Sequence, residues 1–378
     1  MNDSLWAYFD PEQNLDPANL FDTNSGAGER GICALPFEQL STEQTVYIPV
    51  NVIANIFVSN GMSAGNTPAE AKVQALSEIC ERYVKHRVIS EGLCLPDIPQ
   101  TVIERFPAIA QSIQAIEDYG YRLKVADASL NGIYPVVSVT LINPKDGSVF
   151  ASFGAHPCFE VALERTVTEL LQGRELNQMD VFQPPIFDLD AVASPQNIEM
   201  HFIDSSGDIS NDFFRSKPDY EYCDWNTETT TEQEYQALTA LIHEQGYQIY
   251  CADYNHLGVA ACRILVPGMS DIYPVDELLW ENNNEGAIFR ATLLNLNKAG
   301  SADLQALLDG LEQGGYNDQT LVAQFIGLLP DADSIWARLR LGEVKAMLCL
   351  ALQAETALEW VEWCLALEDL SEQQLKHY

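Results

Sequence analysis

The sequence predicts an α+β protein: a layered domain of mixed strands and helices over residues 1–300, followed by an all-α segment over 301–378. Three observations carry this. Strand-like and helix-like segments alternate irregularly between residues 45 and 266, the mark of a mixed layered fold. Asn131-Gly132 and Asp146-Gly147 are hairpin-type turns, which join neighbouring antiparallel strands locally, whereas a doubly wound parallel sheet needs a long crossover each time. From residue 301 onward strand patterns give way to helical blocks joined by short turns.

Residues 1–43 are irregular and polar, with turn clusters at Asp22-Thr23-Asn24-Ser25-Gly26 and Gly28-Glu29-Arg30-Gly31. A strand is expected at 45–58, then a long helix from Pro68 to about Glu91. Ile103 to Tyr119 has the spacing of a second amphipathic helix. Tyr121–Val125, Tyr134–Leu141 and Ser148–Phe153 follow as strands, and Pro157–Gln172 as a helix stopped by Gly173. Residues 174–235 are loop-rich. Glu232–Gly246 is helical, with strands at 247–253 and 259–266 and a Pro267-Gly268 turn after them. The tail divides into helices at Ala302–Gln313, Asp318–Leu329, Trp336–Leu352 and Glu355–Leu367. Ala346, Ala351, Ala354 and Ala357 lie among bulky residues there, as in stacked helical hairpins of the tetratricopeptide kind, although the blocks are too few to establish a 34-residue period.

Charge narrows the function classes. With 55 acidic and 20 basic residues the net charge is −35, a surface that repels a phosphate backbone and argues against nucleic-acid binding. Nine cysteines form no CxxC pair and no zinc-like cadence, and most sit in apolar strings such as Leu348-Cys349-Leu350. Scattered thiols in odd number fit a reducing cytosol. Met1-Asn2-Asp3-Ser4-Leu5-Trp6-Ala7 lacks the basic-then-apolar pattern of a signal peptide, and no apolar run reaches the roughly 20 residues of a membrane span. A soluble, cytoplasmic protein without membrane partners is the expectation.

The stretch Ser59 to Arg87 is the most informative for function. A strand-like segment, Val52 to Val58, feeds a glycine-containing loop, and Thr67-Pro68-Ala69-Glu70 opens the helix with an N-cap, a first-position proline and a capping-box acid. At about 100° per residue, Glu70, Gln74, Glu78 and Glu81 fall within roughly 80° of one another. Stacked like charges repel, and a hard divalent cation carrying a phosphate chain would offset that repulsion. The plain alternative is a solvated stripe in which Glu70 only caps and Glu81 pairs with Lys85 one turn on.

Other motifs are weaker. Gly61-Met62-Ser63-Ala64-Gly65 matches the GxSxG pattern of serine hydrolases, but the helix begins four residues after Ser63, and no histidine precedes residue 86. His256 has Asp253 nearby, yet no clear acid-then-histidine pair stands out. The loop is not a Walker A motif, since its glycines are one residue too close and Asn66 stands where lysine is required. Small residues before a helix N-terminus can still offer amides to an anion. Arg165 and Glu169 read as an ordinary surface pair, His156 as structural, and Trp360 with Trp363 as core or interface.

Taken together, these segments are identified as those of the YcaO-domain family. Asn60-Gly61-Met62-Ser63-Ala64-Gly65-Asn66-Thr67, Glu70, and Ser77-Glu78-Ile79-Cys80-Glu81-Arg82 resemble its second nucleotide-binding motif. Ala151-Ser152-Phe153-Gly154-Ala155-His156-Pro157, Ala162-Leu163-Glu164-Arg165 and Glu169-Leu170-Leu171-Gln172-Gly173-Arg174 look like its third conserved helix. The similarity runs from near residue 1 to about 300, and the helical tail is similar to that of the subgroup of ribosomal protein methylthiotransferase accessory factors. The resemblance implies ATP and Mg2+ held by glutamates without a P-loop, and phosphorylation of a peptide-backbone amide that a thiol, hydroxyl or sulfide then attacks. By it, Glu70, Glu78, Glu81 and Glu169 are metal ligands, and Ser63, Asn66, Arg82 and Arg165 contact the nucleotide. It further implies a peptide or ribosomal protein as substrate and a methylthiotransferase as partner, and allows a homodimer.

Two departures qualify what is carried over. Azoline-forming members end in a proline-rich tail, which Lys376-His377-Tyr378 does not supply, so the accessory-factor subgroup fits better. The family's earlier helix, a serine with glutamates four and seven residues later, has no match upstream of the loop. The nearest, Ser77 with Glu81, has Val84 in the last place. The chain is therefore expected to start inside the family's domain and to stop within the tail, so that residues 1–378 alone turn over little ATP. The rival expectations are a non-catalytic accessory or scaffold protein that keeps the fold and, less favoured, a hydrolase built on Ser63.

Overall fold

The computed structural model describes residues 1–15, 20, 22–24, 30–171, 182–227, 229–256, 258–275 and 286–367. The chain begins with α1 (Asp3–Phe9), β1 (Asp22–Asn24), β2 (Arg30–Gly31), β3 (Ala34–Gln39) and β4 (Gln44–Pro49). A short helical turn α2 (Val50–Val52) passes into a π-helical turn, Ile53–Phe57, before β5 (Met62–Gly65) and α3 (Pro68–Ser90). Then come α4 (Gln100–Ile103), α5 (Pro107–Asp118), β6 (Arg122–Asp127), β7 (Val136–Ile142), β8 (Val149–Ala155) and α6 (Phe159–Glu169). Next are α7 (Leu189–Val192), α8 (Pro195–Ile203), α9 (Thr231–Glu244), β9 (Tyr250–Tyr254) and β10 (Ala260–Leu265). The last described elements are α10 (Ala287–Leu293), α11 (Ser301–Gln313), α12 (Val322–Phe325), β11 (Leu328–Leu329), α13 (Leu341–Leu352) and α14 (Ala357–Leu365). The α+β expectation holds. Among the described residues no helix is long and apolar enough to cross a membrane, and six of the nine cysteines are buried.

The chain forms two compact units. One comprises Pro36–Val46 and Phe57–Ile272. It holds a sheet in the order β4-β3-β9-β10-β5 and a second in the order β6-β7-β8. β5 and β9 both run antiparallel to β10, and β7 runs antiparallel to both β6 and β8. Alternation along β8 explains the layering. Val149, Ala151, Phe153 and Ala155 join Leu76, Ile79, Cys80 and Val84 of α3 in one core, while Phe150 joins Phe159, Leu163 and Val167 of α6 in another. Helix α3 therefore packs on one face of this sheet and α6 on the other.

The other unit comprises Met1–Leu35, Tyr47–Ile56 and Tyr273–Tyr378. Its small sheet has the order β11-β1-β2, with β1 parallel to β11. Leu307, Leu311, Phe325, Leu341, Val344 and Leu348 form its core. Within it, Gly342 of α13 lies against Trp363 of α14, where a Cβ would come 2.4 Å from the indole ring.

Several expected elements are corrected. The strand at 45–58 ends at Pro49, and the segment from Val52 to Phe57 is helical. Its β-branched residues serve as core, and Asn55 Nδ2 donates to Asn51 Oδ1 at 2.7 Å across one helical turn, both residues buried. Asp22–Asn24 is strand β1 and not a turn, because it pairs with β2 and the distant β11. The expected helix Asp318–Leu329 shrinks to α12, since Gly327 takes a left-handed φ of 62° and strand β11 follows. The loop-rich 174–235 region contains α7 and α8, with Asp188 and Ser194 as their N-caps. The expected stop at Gly173 lies outside the described residues.

Candidate functional site

The site grows from the join between β5 and α3. Gly61 has a φ of 78°, and a Cβ there would meet Ile264 O at 2.1 Å. At Gly65 a Cβ would sit 2.8 Å from Ala71 N. The glycines are thus needed for close approach of the chain to β10 and to the first turn of α3, which accounts for GxSxG without a nucleophile. Ser63 lies mid-strand opposite Cys262, and the one hydrogen bond described for its Oγ reaches the neighbouring Ala64 O at 3.5 Å. Nor does His256 pair with Asp253, whose carboxylate takes Lys72 Nζ at 2.8 Å. Ser63 has no base among the described residues, so the hydrolase has no support here.

At the helix N-terminus Thr67 Oγ1 accepts the Glu70 N–H at 3.2 Å, as expected of an N-cap. The Glu70 carboxylate does not return to Thr67. It accepts the Asn66 backbone N–H at 2.9 Å and Asn66 Nδ2 at 3.0 and 3.1 Å, one residue earlier than a capping box. Asn66 and Glu70 are therefore brought together, both exposed.

Two turns along α3, roughly 12 Å from Glu70 by helical rise, stands the second group. Arg82 Nη1 lies 2.7 Å from Glu78 Oε1 as an ion pair, but no acceptor is aligned with its N–H for a hydrogen bond. The Arg82 guanidinium stacks 4.7 Å over the Phe202 ring of α8. Lys85 does not form the expected pair with Glu81. Its Nζ donates to His201 O and Ser205 Oγ, each at 2.7 Å, and so ties α3 to the end of α8.

Arg165 and Glu169 arrive from α6. This helix sits close on β8 because Gly154 has no side chain, and a Cβ there would come 2.4 Å from Thr166 Oγ1. β8 is an edge strand with α3 on one face and α6 on the other, and the charges of the two helices act on one another. Arg165 and Glu169 do not form a surface pair with each other among the described ion pairs. Instead both act on Glu81 and its surroundings. His156, expected to be structural, accepts the Cys158 N–H on Nδ1 at 3.0 Å just before α6.

The electrostatics are those of crowded carboxylates. Glu81 is raised well above the usual carboxylate range by burial and then by repulsion from Glu169 and Glu78, against the pull of Lys85 and Arg82. Burial also raises Glu78, with Arg82 and Arg263 opposing, and Glu169, with Lys85, Arg165 and Arg82 opposing. Lys85 and Arg165 are lowered by burial. Glu81 keeps part of its surface in solvent and Glu169 is exposed, so a ligand can reach the crowded carboxylates.

That donor set suits a hard divalent cation, whose charge would relieve the repulsion among the three glutamates. Among the described residues no three acidic, thiol or imidazole groups form a ready metal cage. The expected residues thus fall into two groups: Asn66 with Glu70, and Glu78, Glu81 and Arg82 with Arg165 and Glu169. Ser63 has no hydrogen bond to either. Lys85, Phe202 and Arg263 were not singled out as site residues. A lone arginine inside the apolar string Cys262-Arg263-Ile264-Leu265-Val266 was the available signal for the last.

Comparison with known proteins decides the family. The profile described as "YcaO cyclodehydratase, ATP-ad Mg2+-binding" matches residues 1–270, and that of the YcaO cyclodehydratase C-terminal domain matches residues 286–378. The chain belongs to the YcaO family. ATP and Mg2+ are the ligands of the domain that residues 1–270 match. The chain is 51% identical over 368 residues to the ribosomal protein S12 methylthiotransferase accessory factor YcaO of Escherichia coli (strain K12). It is 52% identical over the same length to an uncharacterized protein of Haemophilus influenzae. Each alignment covers 97% of this chain and 63% of the relative, so the chain spans less than two thirds of the length of these YcaO relatives. Among solved structures it aligns with a heterocyclase in complex with substrate and cofactor, at TM-score 0.48 and 18% identity over 71% of this chain and 37% of the other. YcaO from Methanopyrus kandleri bound with AMPPCP and Mg2+ aligns at TM-score 0.44 and 20% identity, over 65% and 67%.

Proposed function

We propose that this chain forms part of a site that uses magnesium and ATP to activate a backbone amide of a peptide, in support of methylthiolation of a ribosomal protein. The observation that carries the reading is the Glu78–Arg82 ion pair on α3 together with the charge of Glu81, Lys85, Arg165 and Glu169 acting on one another around it. Carboxylates alone would hold a cation and arginines alone an anion, whereas the mixture suits a metal-bound phosphate chain. The accessory-factor name of the Escherichia coli relative supports the ribosomal setting.

In this reading Glu70, Glu78, Glu81 and Glu169 hold magnesium. Ser63 and Asn66 direct polar groups to the nucleotide, and Arg82 and Arg165 face its phosphates. Bound ATP supplies the phosphoryl group that turns an amide oxygen into a leaving group. The protein's own part is positioning and charge: Phe202 steadies the Arg82 plane, and Lys85 holds the α8 turn against α3. A peptide or ribosomal protein is the substrate class, a methylthiotransferase the partner and the cytoplasm the setting. Residues 1–300 carry the nucleotide chemistry, and 301–378 serve as a helical adaptor.

Glu78→Gln and Glu81→Gln should each weaken binding of ATP with Mg2+ by about tenfold or more, the scale of one lost charge-assisted contact. Titration calorimetry of the 378-residue chain checks this, with circular dichroism to show that both variants fold. Unchanged affinity in both would leave only a solvated acidic stripe. A second reading, a scaffold that keeps the fold without the chemistry, draws on the lack of a ready metal cage among the described residues. It requires wild type to show no magnesium-dependent affinity for ATP.

A further inference from the structure

Strand β10 places a buried arginine behind the loop of the candidate site. Arg263 is 6% exposed and stands opposite Met62 of β5 and Ala252 of β9. Its Nη2 donates to Val58 O at 2.6 Å. Val58 has a φ of 49°, a left-handed conformation that a β-branched residue adopts only under constraint. Beside Arg263, the Ile264 N–H donates to Gly61 O at 2.8 Å. The turn from Val58 to Gly61 is thus clamped at both ends by consecutive residues of one strand, and Met62, Ser63 and Asn66 follow directly from it. Arg263 Nε is buried without a hydrogen-bond partner.

We propose that Arg263 is a positioning residue of the nucleotide site: its guanidinium fixes the Val58–Gly61 turn and thereby sets the reach of Ser63 and Asn66. The inference rests on the magnesium–ATP reading of the same site. An apolar side chain would fill this place in the sheet without the desolvation cost of a buried cation. A strained turn likewise costs stability. Both costs fall on the segment leading into Ser63, where exact placement of polar groups has a functional use. The guanidinium charge also reaches Glu78 across the site, so one side chain addresses both the loop and the helix.

The test uses the 378-residue chain, with ATP plus Mg2+ as the probe in calorimetry and hydrogen exchange read over residues 58–62. Arg263→Gln loses the forked cation. It should weaken ATP affinity about tenfold, by one charge-assisted contact's worth of positioning, and speed exchange in the turn at a temperature where the variant is fully folded. Arg263→Lys keeps a cation and a donor, so it should bind within about threefold of wild type and show intermediate exchange. If Arg263→Gln does not fold, Arg263→Lys decides: wild-type affinity together with wild-type exchange overturns the role. Where wild type binds, unchanged affinity in Arg263→Gln overturns the positioning role and leaves the site reading intact. Absence of binding by wild type overturns the site reading itself, and the positioning role with it.

Discussion

Lys345 in α13 and Glu81 in α3 are both ionisable side chains withdrawn at least in part from water, and their surroundings treat them in opposite ways. Lys345 Nζ reaches Asp318 Oδ1 at 2.6 Å and lies 5.1 Å above the Trp360 ring. Two residues away, the buried Glu343 accepts the Arg340 N–H at 2.8 Å. Around Glu81, in contrast, like charges from Glu78 and Glu169 close in. Arg82 Nη1, Arg263 Nε and Ser77 Oγ are buried there without a hydrogen-bond partner. The Lys345 charge is met by an opposite charge and an aromatic face, while Glu81 faces two like charges. Such local losses of stability persist where a ligand makes them good.

Removing the charge at each place sharpens the contrast, because the two effects should differ in sign. Lys345→Met should lower stability by about 2 kcal/mol, less than a fully buried pair would lose because Asp318 keeps 33% of its side-chain surface in water. Equilibrium denaturation measures it, and no loss would erase the distinction between the two regions. Glu81→Gln should instead raise the melting temperature of the ligand-free chain near pH 7.5 by about 1–2 °C, on the scale of 1 kcal/mol in a chain of this size. The same variant should lose most of the upward thermal shift produced by ATP with Mg2+.

The pH dependence follows from the direction of the Glu81 shift. Its carboxyl is raised from 4.5 toward about 8, so the folded state keeps the proton that the unfolded state has released. Stability should therefore fall as pH rises from about 4.5 to about 8, and Glu81→Gln should flatten that fall. Thermal melts across this range check it, and identical slopes in both proteins would show that Glu81 is relieved already. The smallest effect belongs to Ser63, which stands apart from the charged group. Ser63→Ala should reduce ATP affinity by about 1 kcal/mol, and a fluorophosphonate probe should leave Ser63 unlabelled. Labelling would return the GxSxG reading.

Much of this was legible in the sequence where the signals were local. Thr67-Pro68 fixed the start of α3, and the turns at Asn131-Gly132 and Asp146-Gly147 marked hairpins that the structure forms. The acidic stripe placed Glu70, Glu78 and Glu81 on one helix. What escaped depends on distant partners. Val52 to Val58 has the composition of a strand but is helical through Phe57, with Val52, Ile53, Ile56 and Phe57 in a core and Val58 exposed in the turn beyond. Arg165 and Glu169 have the spacing of a surface pair, yet in the fold both act on Glu81 of α3, a partner that sequence spacing cannot reveal. Lys85 offered Glu81 as its obvious mate one turn away, yet tertiary packing supplied His201 and Ser205. Local spacing proposes partners, and packing chooses among them.

The parallel pairing of Thr23 with Leu328 and Asn24 with Leu329 has a temporal meaning. It joins backbone separated by about 300 residues, a closure whose entropy cost grows only slowly with length but whose search is slow. During synthesis the chain appears from its N-terminus, so β1 must wait, with one side of its ladder unpaired, until β11 has been made. Meanwhile the whole of Phe57–Ile272, with α3, α6 and the charged cluster between them, has been translated. Birth order thus places the chemistry before the enclosure of the sheet that brackets it in sequence.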